Sequence, residues 1–190
     1  MNTDPLLAVV LHANRLKRVP RTGWVMRGVV DGESVSDHSF GVAFIALALA
    51  QVAEPDVDTT KLLTMALIHD MPEAVLSDIP SPALRHLSSD VKAMAERHVL
   101  GDLLAELPEL EIWRVWWKEL EERSSLEARL VRDADLLDML LQAYVYEETT
   151  GNRWLEEFWR DVSPASFECP VSRSLFDALC EARRCAREAL

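Results

Sequence analysis

The feature that most constrains the fold of this chain is an apolar stretch at residues 39–53, which reads SFGVAFIALALAQVA. Its apolar residues fall on nearly every face of a helix instead of on one stripe. Such a helix is stable only where other elements surround it, so we expect it to be central and buried. Ser34 and Asp37, which precede it, match a capping box and predict where the helix begins.

Helical periodicity continues along almost the whole chain. We expect helices at about 4–17, from the capping box to about 53, at 59–70, in a short segment from Pro72, and at 90–106, 109–123, 126–149, 152–160 and 173–189. Because no alternation of apolar and polar residues predicts a strand, the fold class is all-α. A length of 190 residues fits one domain, spanning 1–190.

Prolines, glycines and polar pairs predict the ends of these helices. Asp4 followed by Pro5 is typical of an N-cap and first helical position. Further breaks are expected at Glu54-Pro55-Asp56, Pro108, Ser124-Ser125, Gly151 and Pro164. The connection at 18–33, RVPRTGWVMRGVVDGE, is unusually long, and connections of this length are often functional.

The overall charge restricts the partners of the protein. A net charge of −12 predicts that the surface repels nucleic acid polymers and anionic lipid. An anionic substrate therefore needs a local basic region. One basic stretch contains no acidic residue, and it comprises Arg15, Lys17, Arg18, Arg21 and Arg27.

The sequence also predicts where the protein is located. The N-terminus lacks the pattern of a signal peptide, and we expect no run to approach the ~18 apolar residues of a membrane span. Three cysteines near the C-terminus form no C-x-x-C pair. They are typical of reduced thiols, and we expect a cytoplasmic protein without a membrane partner.

A polar pair interrupts the apolar pattern at His69 and Asp70, at the end of a helix predicted to be buried. Burying an unpaired carboxylate or imidazole costs several kcal/mol. A divalent cation would compensate both groups, because it accepts the imidazole lone pair and neutralises the carboxylate. The alternative is an ordinary helix C-terminus, where His69 meets the helix dipole and Asp70 caps the following segment.

Two further polar residues lie in helices predicted to be apolar. His38 falls in the first turn of the central helix, and Asp135 falls within the helix at 126–149. Two histidines and two aspartates form a nitrogen and oxygen set that suits Mn²⁺, Fe²⁺, Co²⁺ or Mg²⁺, whereas a structural zinc site more usually includes thiolates. Four ligands leave room for water and a substrate oxygen.

The spacing of these residues resembles the H…HD…D signature of HD-domain phosphohydrolases. Four stretches resemble one branch of these enzymes, the 5′-deoxynucleotidase family. Within that family they are similar to the eukaryotic members of the HD domain-containing protein 2 type. They are LKRVPRTGWV (16–25), ESVSDHS (33–39), ALIHDMPEAVLSDIP (66–80) and EARLVRDADLLDMLLQA (127–143). The resemblance covers about residues 8–160 and implies an HD-domain helical bundle, with a metal site between central helices. The C-terminal helix at 172–190 would pack on that bundle.

The resemblance also implies roles for individual residues. The metal ligands would be His38, His69, Asp70 and Asp135, with Asp133 as the alternative to Asp135. The catalytic carboxyls would be Glu73, which handles the proton of the water or leaving group, and Asp78, on the substrate side. Arg18 would bind the substrate phosphate, and the chain would form a homodimer.

One position departs from the bacterial members of this family, which have a tryptophan after the phosphate-binding arginine. This chain has Val19 there, followed by PRTGW as in the eukaryotic-type members. Trp24 is a candidate for the missing aromatic surface. The preference for 2′-deoxyribose over ribose depends on this region.

The function implied is metal-dependent hydrolysis of a deoxynucleoside 5′-monophosphate to nucleoside and phosphate. Three alternatives remain at this point. They are another HD phosphohydrolase activity on a dNTP or a nucleotide second messenger, a non-catalytic module that binds metal or nucleotide, and a purely structural helical protein.

Overall fold

A computed structural model describes residues 3–53 and 56–188, and in these ranges the chain forms ten α-helices. They are α1 (Asp4–Arg15), α2 (Thr22–Val25), α3 (Val35–Ala53), α4 (Thr59–Ile68), α5 (Glu73–Leu76), α6 (Ser81–Leu84), α7 (Ser89–Leu104), α8 (Glu111–Glu122), α9 (Leu126–Thr150) and α10 (Pro170–Glu188). Four 3₁₀ segments accompany them, at Leu16–Arg18, Pro108–Leu110, Arg153–Trp159 and Pro164–Ser166.

The all-α prediction is confirmed, since the described ranges contain no strand. A single isolated β-bridge joins Pro20 to Ser34. It closes the long connection between α1 and α3 and places the basic stretch next to the start of α3. The segment predicted as a helix at 152–160 is a 3₁₀ helix instead.

Helix α3 lies at the centre and packs against α4 and α9. The main core contains Val42 and Leu49 of α3, Met65 of α4, and Leu130 and Leu137 of α9. The capping box is present, because the Ser34 amide donates to Asp37 Oδ2 over 2.9 Å and the Asp37 amide donates to Ser34 Oγ over 3.2 Å. Helix α10 packs against α9 and α3.

One face of α3 is exposed, so the expectation of burial on all sides is wrong for that face. Phe40 is 71% exposed and Phe44 is 64% exposed. The expectation that no segment approaches the length of a membrane span is also wrong, because residues 35–52 are long and apolar enough by length and composition. In the structure this segment is the central core helix, and it carries His38.

The polypeptide between α4 and α5 is where the site forms. Helix α4 ends at Ile68, and the chain turns through His69 to Pro72 before α5 begins. Helix α4 therefore does not continue past Pro72. Two turn hydrogen bonds hold this corner, from Met71 N to the Ile68 carbonyl and from Glu73 N to the Asp70 carbonyl, each 3.0 Å long.

The remaining boundaries differ from expectation by a few residues. Helix α1 begins at Asp4, with Thr3 in the N-cap position and no side-chain cap. Of the predicted break at Glu54-Pro55-Asp56, Glu54 and Pro55 lie outside the described residues. The connection at 18–33 contains the short helix α2.

Candidate functional site

Three core helices bring the four predicted metal ligands together. His38 comes from the first turn of α3, His69 and Asp70 follow the last residue of α4, and Asp135 comes from α9. His38 Nε2 lies 3.2 Å from Asp135 Oδ1 and 3.7 Å from Asp70 Oδ2. His69 Nε2 lies 3.2 Å from Asp70 Oδ2 and 3.4 Å from His38 Nε2. Both imidazole rings thus lie between the carboxylates of Asp70 and Asp135.

The opposite nitrogen of each histidine ring has its own partner. His69 Nδ1 lies 2.7 Å from the carbonyl oxygen of Ala66, and His38 Nδ1 lies 2.7 Å from Asp138 Oδ2. Because a carbonyl and a carboxylate accept hydrogen bonds, each Nδ1 carries the proton. In the neutral rings both Nε2 lone pairs therefore point at the shared centre, which is the arrangement that metal-ligating histidines use.

The charges around this centre favour a positive charge within it. Burial opposes protonation of His38, but its hydrogen bonds to Asp135 and Asp138 outweigh burial and raise its pKa to about 10. Burial alone would raise the pKa of Asp70, yet His69, His38 and Arg21 hold it below its usual value.

His38, His69 and Asp135 could hold a metal ion together, since their ligand atoms lie within 4.8 Å of one another. Two imidazoles and one carboxylate therefore suit a divalent cation, and Asp70 Oδ2, 3.2 Å from His69 Nε2, offers a further ligand atom beside them. A set of nitrogen and oxygen donors without thiolates is typical of Mn²⁺, Fe²⁺, Co²⁺ or Mg²⁺ and less typical of a structural zinc site.

The structure separates the two candidate aspartates on α9. Asp133 is 1% exposed, and its carboxylate accepts hydrogen bonds from the amides of Glu168 (3.0 Å) and Cys169 (2.8 Å). It therefore holds the segment before α10 and is directed away from the metal ligands. Asp135 lies against His38 and Arg132.

Glu73, the first residue of α5, is buried beside the four ligands. Its Oε2 atom has no hydrogen-bond partner among the described residues. Burial, together with the charges of Asp70 and Asp78, raises the pKa of Glu73 to about 9. The carboxyl group can therefore hold a proton near neutral pH, as a group that exchanges protons with a substrate must.

Asp78 connects the loop after α5 to the basic stretch. Its Oδ2 accepts a hydrogen bond from the Thr22 amide over 2.7 Å and another from Thr22 Oγ1 over 3.1 Å. Asp78 thereby caps the start of α2 and holds the neighbouring Arg21 close to Asp70.

Of the arginines in the basic stretch, one is exposed to solvent and two form ion pairs with carboxylates of the protein. Arg18 lies at the end of the first 3₁₀ segment and is exposed. Arg21 Nη1 lies 3.4 Å from Asp70 Oδ2. Arg27 pairs with Glu157 over 2.9 Å and lies over the ring of Phe158. Its guanidinium group is therefore already bound by other parts of the protein.

Trp24 is unsuitable as an aromatic surface for a ligand, contrary to expectation. It is 1% exposed and packs against Tyr146 and Phe158. Its indole Nε1 donates to Glu33 Oε1 over 2.9 Å. Trp24 therefore anchors the connection between α1 and α3 to the core.

The role of Asp138 was not predicted from the sequence. This residue lies three positions after Asp135 on the same face of a largely apolar helix, and that spacing was the available signal. Gly41 of α3 makes room for it, because a Cβ built on Gly41 would overlap Asp138 Oδ1. The small residue on α3 and the carboxylate on α9 form one packing unit behind His38.

Comparison with known proteins identifies the family to which this arrangement belongs. Residues 13–165 match the sequence model of the HD domain. The chain belongs to the HD-domain family.

Relatives with the same HD domain match over nearly the full chain. The 5′-deoxynucleotidase HDDC2 of Danio rerio is 36% identical over 185 residues, which cover 95% of this chain and 88% of that protein. The 5′-deoxynucleotidase HDDC2 of Homo sapiens is 36% identical over 182 residues, covering 94% of this chain and 86% of that protein.

Solved structures share the fold as well. A conserved hypothetical protein from Pyrococcus furiosus is 39% identical, with a TM-score of 0.77 and coverage of 94% of this chain and 99% of that one. A protein from Pyrococcus horikoshii OT3 is 41% identical, with a TM-score of 0.75 and coverage of 94% and 98%.

Proposed function

We propose that this protein is a metal-dependent 5′-deoxynucleotidase, which hydrolyses deoxynucleoside 5′-monophosphates to nucleoside and inorganic phosphate. The observation that carries the proposal is the convergence of His38, His69, Asp70 and Asp135 beside the buried carboxyl of Glu73. The relatives named 5′-deoxynucleotidase, matched over most of their length, support the same activity.

One divalent ion, Mn²⁺, Co²⁺, Fe²⁺ or Mg²⁺, is the proposed cofactor, and His38, His69, Asp70 and Asp135 would hold it. When bound, such an ion lowers the pKa of water and neutralises charge on a phosphate oxygen. The protein contributes the orientation of the ligands, because Asp138 and the Ala66 carbonyl fix both imidazole rings.

Glu73 is proposed as the group that moves the proton. Hydrolysis forms a bond between a water oxygen and phosphorus, breaks the bond between phosphorus and the 5′ oxygen, and transfers a proton to that leaving oxygen. A carboxyl group with a raised pKa can take a proton from the water or give one to the leaving oxygen.

Asp78 and Arg18 are proposed to contact the substrate. Both Thr22 hydrogen bonds use Oδ2 of Asp78, so the second carboxylate oxygen is the one offered to the sugar or the 5′ oxygen. Arg18 is exposed, and its guanidinium fork suits a phosphate group that arrives from solvent.

The activity is tested by measuring phosphate release from a panel of deoxy- and ribonucleoside 5′-monophosphates. The protein is first stripped of metal and then supplied with Mn²⁺, Co²⁺ or Mg²⁺. We expect release that depends on the metal, is faster for the deoxy substrates, and is lost in Asp70→Ala but retained in the surface control Asp102→Ala. No release from any monophosphate would reject the proposal.

A homodimer is proposed from the exposed face of α3. Phe40 stacks near Phe44, with ring centroids 6.4 Å apart, and Phe40, Val10 and Leu67 line one apolar groove of about 430 Å³. Exposed aromatic and aliphatic groups from three helices form the kind of surface that a second copy covers in a two-fold dimer.

The remaining proposed properties are a cytoplasmic location and a small-molecule substrate, without a nucleic acid polymer or a membrane as partner. The net charge of −12 supports the absence of polyanionic partners. Cys180, which is partly buried, and Cys185, which is exposed, are free thiols, and this supports a reducing compartment.

A further inference from the structure

The corner between α4 and α5 carries two of the four proposed metal ligands. His69 and Asp70 follow the last residue of α4, where the regular hydrogen bonding of that helix ends. His38 and Asp135, by contrast, lie within α3 and α9. The distances among the four ligands therefore depend on the contacts that hold this corner against the helices around it.

The carbonyl group of His69 is bound by a side chain instead of by the backbone. In a continued helix the Glu73 amide would reach this carbonyl, but that amide donates to the Asp70 carbonyl over 3.0 Å, because the chain turns at Pro72. Among the described residues, the donor that reaches the His69 carbonyl is the indole Nε1 of Trp117, over 3.4 Å. A side chain of α8 thus supplies the hydrogen bond that the turn removes.

A second side chain binds the same corner from α1. His12 Nε2 lies 3.0 Å from the carbonyl oxygen of Met71, and because a carbonyl group only accepts, Nε2 carries the proton and donates the hydrogen bond. Burial lowers the pKa of His12, so its ring is uncharged at neutral pH. The same carbonyl accepts a hydrogen bond from the Ala74 amide of α5 over 3.2 Å. His12 therefore holds the chain between Asp70 and Glu73.

Both donors are buried, so their positions are set by the fold. Trp117 is 4% exposed and His12 is 7% exposed. A small apolar core from α1, α4, α7, α8 and the corner lies beside them, and it comprises Val9, Ile68, Met71, Leu100, Leu104 and Trp117. Because side chains in a close-packed core have few alternative positions, their hydrogen bonds fix the corner relative to α1 and α8.

We propose that Trp117 and His12 are positioning residues for the metal centre. Through the carbonyl groups of His69 and Met71 they fix the corner, so that the side chains of His69 and Asp70 lie where one cation can bind them together with His38. This inference rests on the proposed metal-dependent function. Both residues act through the backbone and are not ligands. A displacement of the corner by more than about 0.5 Å would spoil the ligand distances, because a metal site requires its ligands within that tolerance.

The test compares two variants that lack the donor with two controls. Trp117→Phe and His12→Leu each remove an N–H donor and keep an apolar side chain in its place. His12→Gln is the conservative control, because the amide group of glutamine retains an N–H donor. Leu104→Val is the stability control, since Leu104 is a buried residue of the same apolar core and its side chain has no donor.

Mn²⁺ affinity is measured by electron paramagnetic resonance, at a temperature at which circular dichroism shows every variant to be folded. We expect Trp117→Phe and His12→Leu each to bind Mn²⁺ about 10-fold more weakly than wild type, as for other groups that orient metal ligands. His12→Gln should recover most of the affinity. Leu104→Val should unfold at a lower temperature than wild type but bind Mn²⁺ with wild-type affinity.

Wild-type Mn²⁺ affinity in both Trp117→Phe and His12→Leu would overturn the inference. An equal loss of affinity in Leu104→Val would also overturn it, because the effect would then follow stability and not the two hydrogen bonds. If Trp117→Phe does not fold, the comparison of His12→Leu with His12→Gln decides the question. If the wild type binds Mn²⁺ but releases phosphate from no monophosphate, the proposed nucleotidase function fails, while the Mn²⁺ affinities still decide the role of the two positioning residues.

Discussion

At the scale of single residues, the most consequential contact is the 2.7 Å hydrogen bond between His38 Nδ1 and Asp138 Oδ2. Asp138 is not a proposed ligand, yet it determines which nitrogen of His38 is free for the metal. We expect Asp138→Asn to weaken Mn²⁺ binding by about 10–100-fold, as for other partners of ligating histidines. Thermal unfolding in chelator serves as the control, and an unchanged Mn²⁺ affinity would contradict this role.

Gly41 provides a second test of the same contact. Gly41→Ala should displace the Asp138 carboxylate, because the new methyl group would occupy its position. In an Asp138→Ala background the same change should cost much less stability and metal affinity, so the two effects should be strongly non-additive. Additive effects on the free energy of unfolding would show that Gly41 has another function.

Glu73 is expected to lower the stability of the folded protein at neutral and alkaline pH although it is required for activity. Its raised pKa means that the folded protein retains a proton that the unfolded chain loses, so this group destabilises the fold increasingly as pH rises from about 4.5 towards about 9. In metal-free protein, Glu73→Gln should therefore be more stable than wild type by about 1–3 kcal/mol at pH 8, with little difference below pH 4.5.

The same variant should lose activity. We expect kcat to fall by about 10²–10⁴-fold in Glu73→Gln, because the amide cannot exchange the proton. Urea unfolding at the two pH values and steady-state phosphate release measure the two effects. Wild-type kcat in the variant would remove Glu73 from the proposed chemistry.

At the scale of helices, Asp133 and Asp135 of α9 have different tasks although they are two residues apart. Asp133→Ala should destabilise the fold by about 1.5–3 kcal/mol, because two amides before α10 lose a charged partner. It should leave the Mn²⁺ affinity of the folded protein nearly unchanged. Asp135→Ala should show the reverse, with weak Mn²⁺ binding, and a similar loss of metal in both variants would contradict the assignment.

The helices that sequence analysis predicted best are those with long, uninterrupted periodicity. Residues 126–149 were predicted and Leu126–Thr150 is observed, since Ser125 caps the start and Gly151 ends the helix in a left-handed conformation. The corner at His69–Pro72 was harder to predict, because a proline can either kink a helix or lie in the first turn of a new one. Burial of Glu73 depends on that corner and on α7, so periodicity alone did not determine it.

Within the site, the residues predicted from the motifs lie close together. The positions of residues that depend on contacts between distant segments could not be predicted from the sequence. Asp133 lies only two residues from Asp135, and what distinguishes it is the return of the segment before α10, whose amides it binds. Trp24 was expected to face a ligand, but the bridge between Pro20 and Ser34 folds it inward. Contacts between distant segments have no local sequence signal, which accounts for both differences.

At the scale of the whole molecule, the apolar groove formed by Phe40, Val10 and Leu67 predicts the oligomeric state. Wild-type protein should sediment at about twice the chain mass of 21.5 kDa. Phe40→Asp should shift it to the monomer, because a charge on this face opposes burial, while the exposed control Val30→Asp should remain dimeric. A wild-type monomer at micromolar concentration would reject the proposed dimer.

We propose that this HD domain performs hydrolysis with a single metal ion held by His38, His69, Asp70 and Asp135. The most direct measurement is a titration of metal-stripped protein with Mn²⁺, in which bound metal and phosphate release from a deoxynucleoside 5′-monophosphate are followed together. We expect phosphate release to rise with bound metal and to saturate at one ion per chain, and we expect His69→Ala to show neither metal binding nor release. Equal phosphate release from metal-stripped and Mn²⁺-loaded protein would contradict it.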